Sequence, residues 1–145
     1  MSGSLRAMRG FSLVELMIVL IVAGILVAIT VPTIVGFQHS AQLSGTANTL
    51  ASDMRYARSL ASSQGTTYQI TFAPTSYAVA RVSPLTPVRT RALPRGIKCT
   101  VSNNASFYPW GLAAATTVTL ADTASQTVKQ PQVVRLYSNG SIARD

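Results

Sequence analysis

The sequence predicts an α+β fold, in which one long N-terminal helix packs its second half on a small antiparallel β-sheet head. Three observations carry this lollipop-shaped expectation. Residues 11–31 are an apolar run with a single ionisable group, Glu15. Residues 43–61 carry one apolar stripe at helical spacing. From Thr66 onward the hydrophobic period drops to two, the period of a half-buried strand.

The apolar run is long enough to matter. A helix rises ~1.5 Å per residue and a bilayer core is ~30 Å thick, so about 20 residues span it. A cleaved secretory signal peptide is the alternative, but its apolar region is usually only ~7–15 residues. The longer run, with a carboxylate near its start, favours a retained membrane helix over residues 11–36. Arg6 and Arg9 precede it, and no Lys or Arg follows until Arg55. The positive-inside rule then keeps the short N-terminus in the cytoplasm and sends residues 37–145 across.

Beyond the span, Pro32 removes one helical hydrogen bond and favours a kink. Gly24 and Pro32 bracket a weak stretch of helix, and Gly24 with Ala28 makes a small-xxx-small pair. Leu43, Ala47, Leu50, Met54, Ala57 and Ala61 recur at spacings of three and four, the buried stripe of an amphipathic helix. Asp53 and Arg58 read as residues of its polar face. Gly65 accepts the left-handed conformation that ends helices. The expected helix runs from about Ser12 to Gln64.

Tyr68, Ile70 and Phe72 alternate with polar residues and predict a strand. Pro74-Thr75-Ser76 predicts a turn, and Tyr77 to Val82 the returning strand. Residues 83–96 hold Pro84, Pro87, Pro94 and Gly96, which predicts a loop. Ile97–Val101, Thr116–Leu120 and Val133–Tyr137 are further strand candidates, the last two separated by a polar loop. Ser138-Asn139-Gly140 turns the chain into residues 141–144. Strands this few and short need a partner, and the helical stripe over residues 37–64 supplies one for the β-rich part, residues 66–145.

Composition excludes much chemistry. The 145 residues are 48% hydrophobic and 11% charged, against roughly 25% charged in an average soluble domain. Four acids, one His and one Cys leave no clustered metal site and no assembled triad around a serine. Cys99 has no intramolecular disulfide partner, and burial in its strand predicts an inert thiol. His39 stands alone just past the span. Tyr108 and Trp110 could form a ligand-stacking surface, but read first as core or loop-anchoring aromatics. Twelve Lys and Arg against four acids give a net charge of +8. Arg89, Arg91, Arg95 and Lys98 place four cations within ten residues and no acid among them. Such a cluster can neutralise phosphates, with strong salt dependence, or be a solvated loop, or meet anionic lipid or envelope polymer.

The segment Arg9-Gly10-Phe11-Ser12-Leu13-Val14-Glu15 resembles the processing and methylation site of type IV prepilins and type II secretion pseudopilins. The resemblance runs through residues 9–36. It implies a leader peptide over residues 1–10, cleavage after Gly10 by a prepilin peptidase, and N-methylation of Phe11. By its place alone, Glu15 fits the headgroup region as well as a functional role. The resemblance implies the second: pairing with the N-terminal amine of a neighbouring subunit during assembly. It further implies helix flexibility at Gly24 and Pro32, no catalysis and no cofactor. The implied location is the bacterial inner membrane, with a periplasmic head, and then a pilus or pseudopilus.

Leu50 to Ala61 is similar to the second helical signature of the FimT/GspH minor pilin branch. Phe107-Tyr108-Pro109-Trp110-Gly111 and Val134 to Gly140 resemble two head elements of that branch. Some of its members are DNA receptors with a Gly-Arg-x-Arg motif near the C-terminus. Here Ser141 and Ala143 stand where both arginines would be, and Arg144 comes one place late. The implied partners are other pilin subunits, with DNA as an alternative through the cluster 89–98 and Arg144.

Overall fold

The computed structural model describes residues 11–123 and 130–145, without the side chains of residues 29–35. Leu13–Gln64 form one helix, α1. It is continuous through Gly24 and Pro32. Gly65, at φ 63°, ends it in the left-handed region, where a Cβ would be strained. The chain divides into two compact units, with the border between Val35 and Gly36.

In the second unit, eight strands follow the helix among the described residues. They are β1 Tyr68–Ala73, β2 Ser76–Arg81, β3 Thr86–Ala92 and β4 Ile97–Val101, then β5 Ala105–Phe107, β6 Thr116–Asp122, β7 Gln132–Leu136 and β8 Ile142–Arg144. The ladders between these strands are antiparallel. They form two four-stranded sheets, β3-β2-β1-β5 and β4-β6-β7-β8, rather than one small sheet. The split follows from strand pairing distant in sequence: β5 returns to β1, with Ile70 opposite Ala105.

The helical stripe is the centre of the core. Leu43, Ala47, Leu50, Met54, Ala57 and Ala61 are all buried. Their small members let the sheets approach α1, and Leu50 and Met54 fill the remaining space. Tyr68, Ile70, Val79 and Phe107 meet them from the first sheet, and Val118, Leu120, Val134 and Leu136 from the second. Burial of each large apolar side chain contributes about 1.5–3 kcal/mol.

One predicted loop is a strand. β3 lies inside residues 83–96 and pairs with β2, with a register shift at Val79/Ala80. Pro87 is tolerated there because β3 is the outermost strand of its sheet, where a missing N–H need not break a ladder. The polar loop expected between β6 and β7 lies largely in residues 124–129, outside the described residues.

Candidate assembly segment and cationic face

Within the described residues the helix begins at Leu13, two residues after Phe11. The Leu16 amide donates to the Ser12 carbonyl at 3.1 Å, so the first turn closes just after Phe11. Glu15 lies in that turn, where a carboxylate complements the positive end of the helix dipole. Phe11 is 75% exposed, and the apolar side chains from Leu13 through Val27 are mostly half-exposed or more. So large an uncovered apolar surface marks an interaction site with lipid or protein. Nothing lies within 4 Å of where a Cβ on Gly24 would be. Gly10 and the side chain of Pro32 fall outside the described residues. Among the described residues no helix is long and apolar enough to cross a membrane.

The four clustered cations do not share one environment. Arg89 and Arg91 project from β3 to a single carboxylate on α1, Asp53. Arg89 Nη1 donates to Asp53 Oδ1 and Arg91 Nε to Oδ2, each at 2.7 Å. The Tyr77 hydroxyl donates to Oδ2, also at 2.7 Å. The Arg89 guanidinium stacks over the Tyr56 ring, 4.6 Å from its centroid. The Asp53 side chain is 2% exposed, so it is a core residue and not part of the polar face. Burial disfavours its charge. The hydrogen bonds from Tyr77, Arg89 and Arg91 outweigh that and hold its carboxyl below its ordinary range. The same burial, together with Asp53, pushes the Tyr77 hydroxyl well above its usual value.

Arg95 and Lys98 are exposed, Arg95 after Pro94 and Lys98 on β4 of the other sheet. Arg144, on β8, turns to α1: its Nη1 donates to Asn48 Oδ1 at 2.7 Å and to Ser44 Oγ at 3.2 Å. Three of the five candidate cations therefore hold the sheets to the helix.

Arg58 is likewise more than a polar-face residue. Its Nη1 donates to the Gly140 carbonyl at 2.9 Å, and Nη2 lies 3.4 Å from the Asn139 carbonyl. Gly140 has φ 76°. A Cβ there would sit 2.5 Å from the Gly111 carbonyl oxygen and 2.8 Å from Arg58 Nε. The two glycine turns, around 111 and 140, thus close on one arginine.

The remaining groups are placed as follows. His39 is not alone: its Nδ1 is 2.8 Å from Asp122 Oδ2. Trp110 is 69% exposed and stacks on Tyr108 at 5.2 Å, so it is a surface aromatic and not a core one. Burial raises the Cys99 thiol to about 11. Among the described residues no three His, Cys, Asp or Glu side chains converge as a metal site.

Sequence reasoning missed Asp53 and Arg58. A signal for the first was present: Asp53 stands three places after Leu50 and four before Ala57, on the spacing of the buried stripe.

A helix packed on antiparallel sheets is the fold of the pilin and pseudopilin class, which consists of membrane-associated structural filament subunits. The family described as type II transport protein GspH matches residues 46–140. The prokaryotic N-terminal methylation motif matches residues 5–31. The chain belongs to the GspH family and carries that motif.

Solved structures share the fold. The type IV minor pilin FimU of Pseudomonas aeruginosa (strain PAO1) superposes with a TM-score of 0.62 at 17% identity, covering 75% of this chain and 92% of that one. The minor pseudopilin EpsH, from the type 2 secretion system of Vibrio cholerae, gives 0.64 at 8% identity, covering 72% and 96%. A search of curated proteins gave no match.

Proposed function

We propose that this protein is a non-catalytic filament subunit made as a precursor. Prepilin peptidase removes residues 1–10 after Gly10, and Phe11 is then N-methylated. Residues 11–36 hold the subunit in the inner membrane, with residues 37–145 as a periplasmic head, until Glu15 pairs with the N-terminal amine of a neighbour and steers the helix into the filament. Gly24 and Pro32 let the helix adjust on packing. The observation that carries this reading is Glu15 in the first turn of a helix whose apolar side chains are uncovered. A carboxylate at mid-helix costs ~2.5–3.5 kcal/mol on insertion scales, and less near the interface, so a membrane segment that retains one uses it. The test is Glu15→Ala. It should insert and be cleaved as the parent is, yet be lost from sheared filaments. Incorporation at the parent's level would contradict the assembly role.

A second reading is DNA binding by the basic head. It is supported by exposed Arg95 and Lys98 and by ten Lys and Arg against three Asp from residue 37 onward. Arg89, Arg91 and Arg144 already spend donors on Asp53, Asn48 and Ser44, so they would contribute less to such binding than Arg95 and Lys98. The detergent-solubilised full chain should then shift duplex DNA at low salt and release it as salt rises. Arg95→Ala with Lys98→Ala should abolish the shift. No salt-sensitive shift in the parent removes this reading.

A further inference from the structure

A groove of about 310 Å³ lies between α1 and the C-terminal end of β3, beside the Asp53 cluster. Gln42, Gly45 and Thr49 line it from α1; Tyr77, Arg91 and Leu93 line it from the sheet side. Three observations give it a chemistry.

The first is Gly45. A glycine inside a helix costs about 1 kcal/mol relative to Ala. Nothing lies within 4 Å of where its Cβ would be, so packing does not require glycine there. The missing side chain keeps the groove open.

The second is charge. Asp53 carries one negative charge and faces two guanidinium groups, so the cluster has a surplus positive charge. A guanidinium has five N–H donors, and the Arg91 bond to Asp53 engages Nε alone. Arg91 also lines the groove.

The third is backbone. The Leu93 amide donates to the Thr75 carbonyl, so the in-register pairs Arg91–Tyr77 and Arg89–Val79 are the hydrogen-bonded ones. Thr90 and Ala92 then direct N–H and C=O away from β2, and β3 is the outermost strand of its sheet among the described residues. The first half of β3 is blunted by Pro87 and the register shift, two devices that discourage edge pairing. Thr90–Ala92, next to the groove, is not blunted.

We propose that this edge and groove form a docking site for an extended, carboxylate-bearing peptide segment of another protein chain. The segment adds as a strand along Thr90–Ala92. One side chain enters the groove over Gly45, and its carboxylate pairs with Arg91, giving backbone affinity with side-chain selection. This site goes beyond the processing and membrane readings and does not depend on them.

The test is a titration of the ¹⁵N-labelled full chain, in detergent micelles, with a capped peptide of alternating Val and Thr around one central Asp. Saturable shifts should appear at Gly45, Thr49, Arg91 and Ala92, and the Thr90 and Ala92 amides should gain protection from hydrogen exchange. The same peptide with Asn for Asp should bind at least ~10-fold more weakly, because the charge-assisted pair is lost. Gly45→Leu should fold, since its side chain meets open space, and should abolish binding. Ala92→Pro, which removes an outward N–H, should weaken it. The proposal is overturned if millimolar Asp peptide moves none of these amides, if the Asp and Asn peptides bind alike, or if Gly45→Leu binds as the parent does. It is also overturned if a twelve-base-pair DNA duplex moves these amides while the peptide does not.

Discussion

The Arg58 guanidinium on α1 donates to the Gly140 carbonyl at 2.9 Å, across 82 residues of sequence. That bond ties the C-terminal part of the helix to the turn at Asn139-Gly140. It is reinforced by the close approach of Gly140 to Gly111, which leaves no room for a side chain.

Gly140→Ala is therefore expected to destabilise the head. The positive φ alone costs about 1–3 kcal/mol for a residue with a Cβ, and the overlap with the Gly111 oxygen adds to it. Thermal unfolding of the variant should show a clear fall in Tm. An unchanged Tm would mean that the turn can rearrange freely.

Asp53→Asn should weaken the tie between α1 and β3. A half-exposed arginine left without its carboxylate loses less than the ~3–5 kcal/mol of a fully buried broken pair, so a loss of about 2 kcal/mol is expected. Its pH dependence is diagnostic. The folded Asp53 carboxyl ionises below the unfolded one. Its contribution is full above the ordinary carboxylate pKa of ~3.9 and is lost as pH falls through the lower folded value. Chemical denaturation of the parent should show stability falling over that acid window. Asp53→Asn should flatten the fall, and an identical acid limb in both would contradict the cluster's role.

Cys99 should react slowly. With its thiol raised to about 11, the thiolate fraction at neutral pH is on the order of a hundredfold below that of a group near 9. Iodoacetamide should label the folded chain far more slowly than the denatured chain. Equal rates would place Cys99 in contact with solvent.

The helix was legible because its signals are local. Six stripe residues at helical spacing and Gly65 at the end set its face and its stop. β3 was illegible because three prolines in residues 83–96 signal a loop, and only an edge position in the assembled sheet makes Pro87 acceptable. Asp53 was illegible as a core residue because a lone carboxylate is ordinarily solvated. Its partners Arg89 and Arg91 arrive from 36 and 38 residues away. The same distance effect turned a basic cluster, contiguous in sequence, into two inward-facing ion pairs and two exposed cations. Of the places open to Trp110, the core is excluded, because its turn puts it on the surface stacked over Tyr108.

The most direct test of the account is the intact mass of this protein recovered from sheared filaments. The account predicts a chain that begins at Phe11 and is heavier by one methyl group. A filament-borne chain that still carries residues 1–10, or that begins elsewhere, would contradict it.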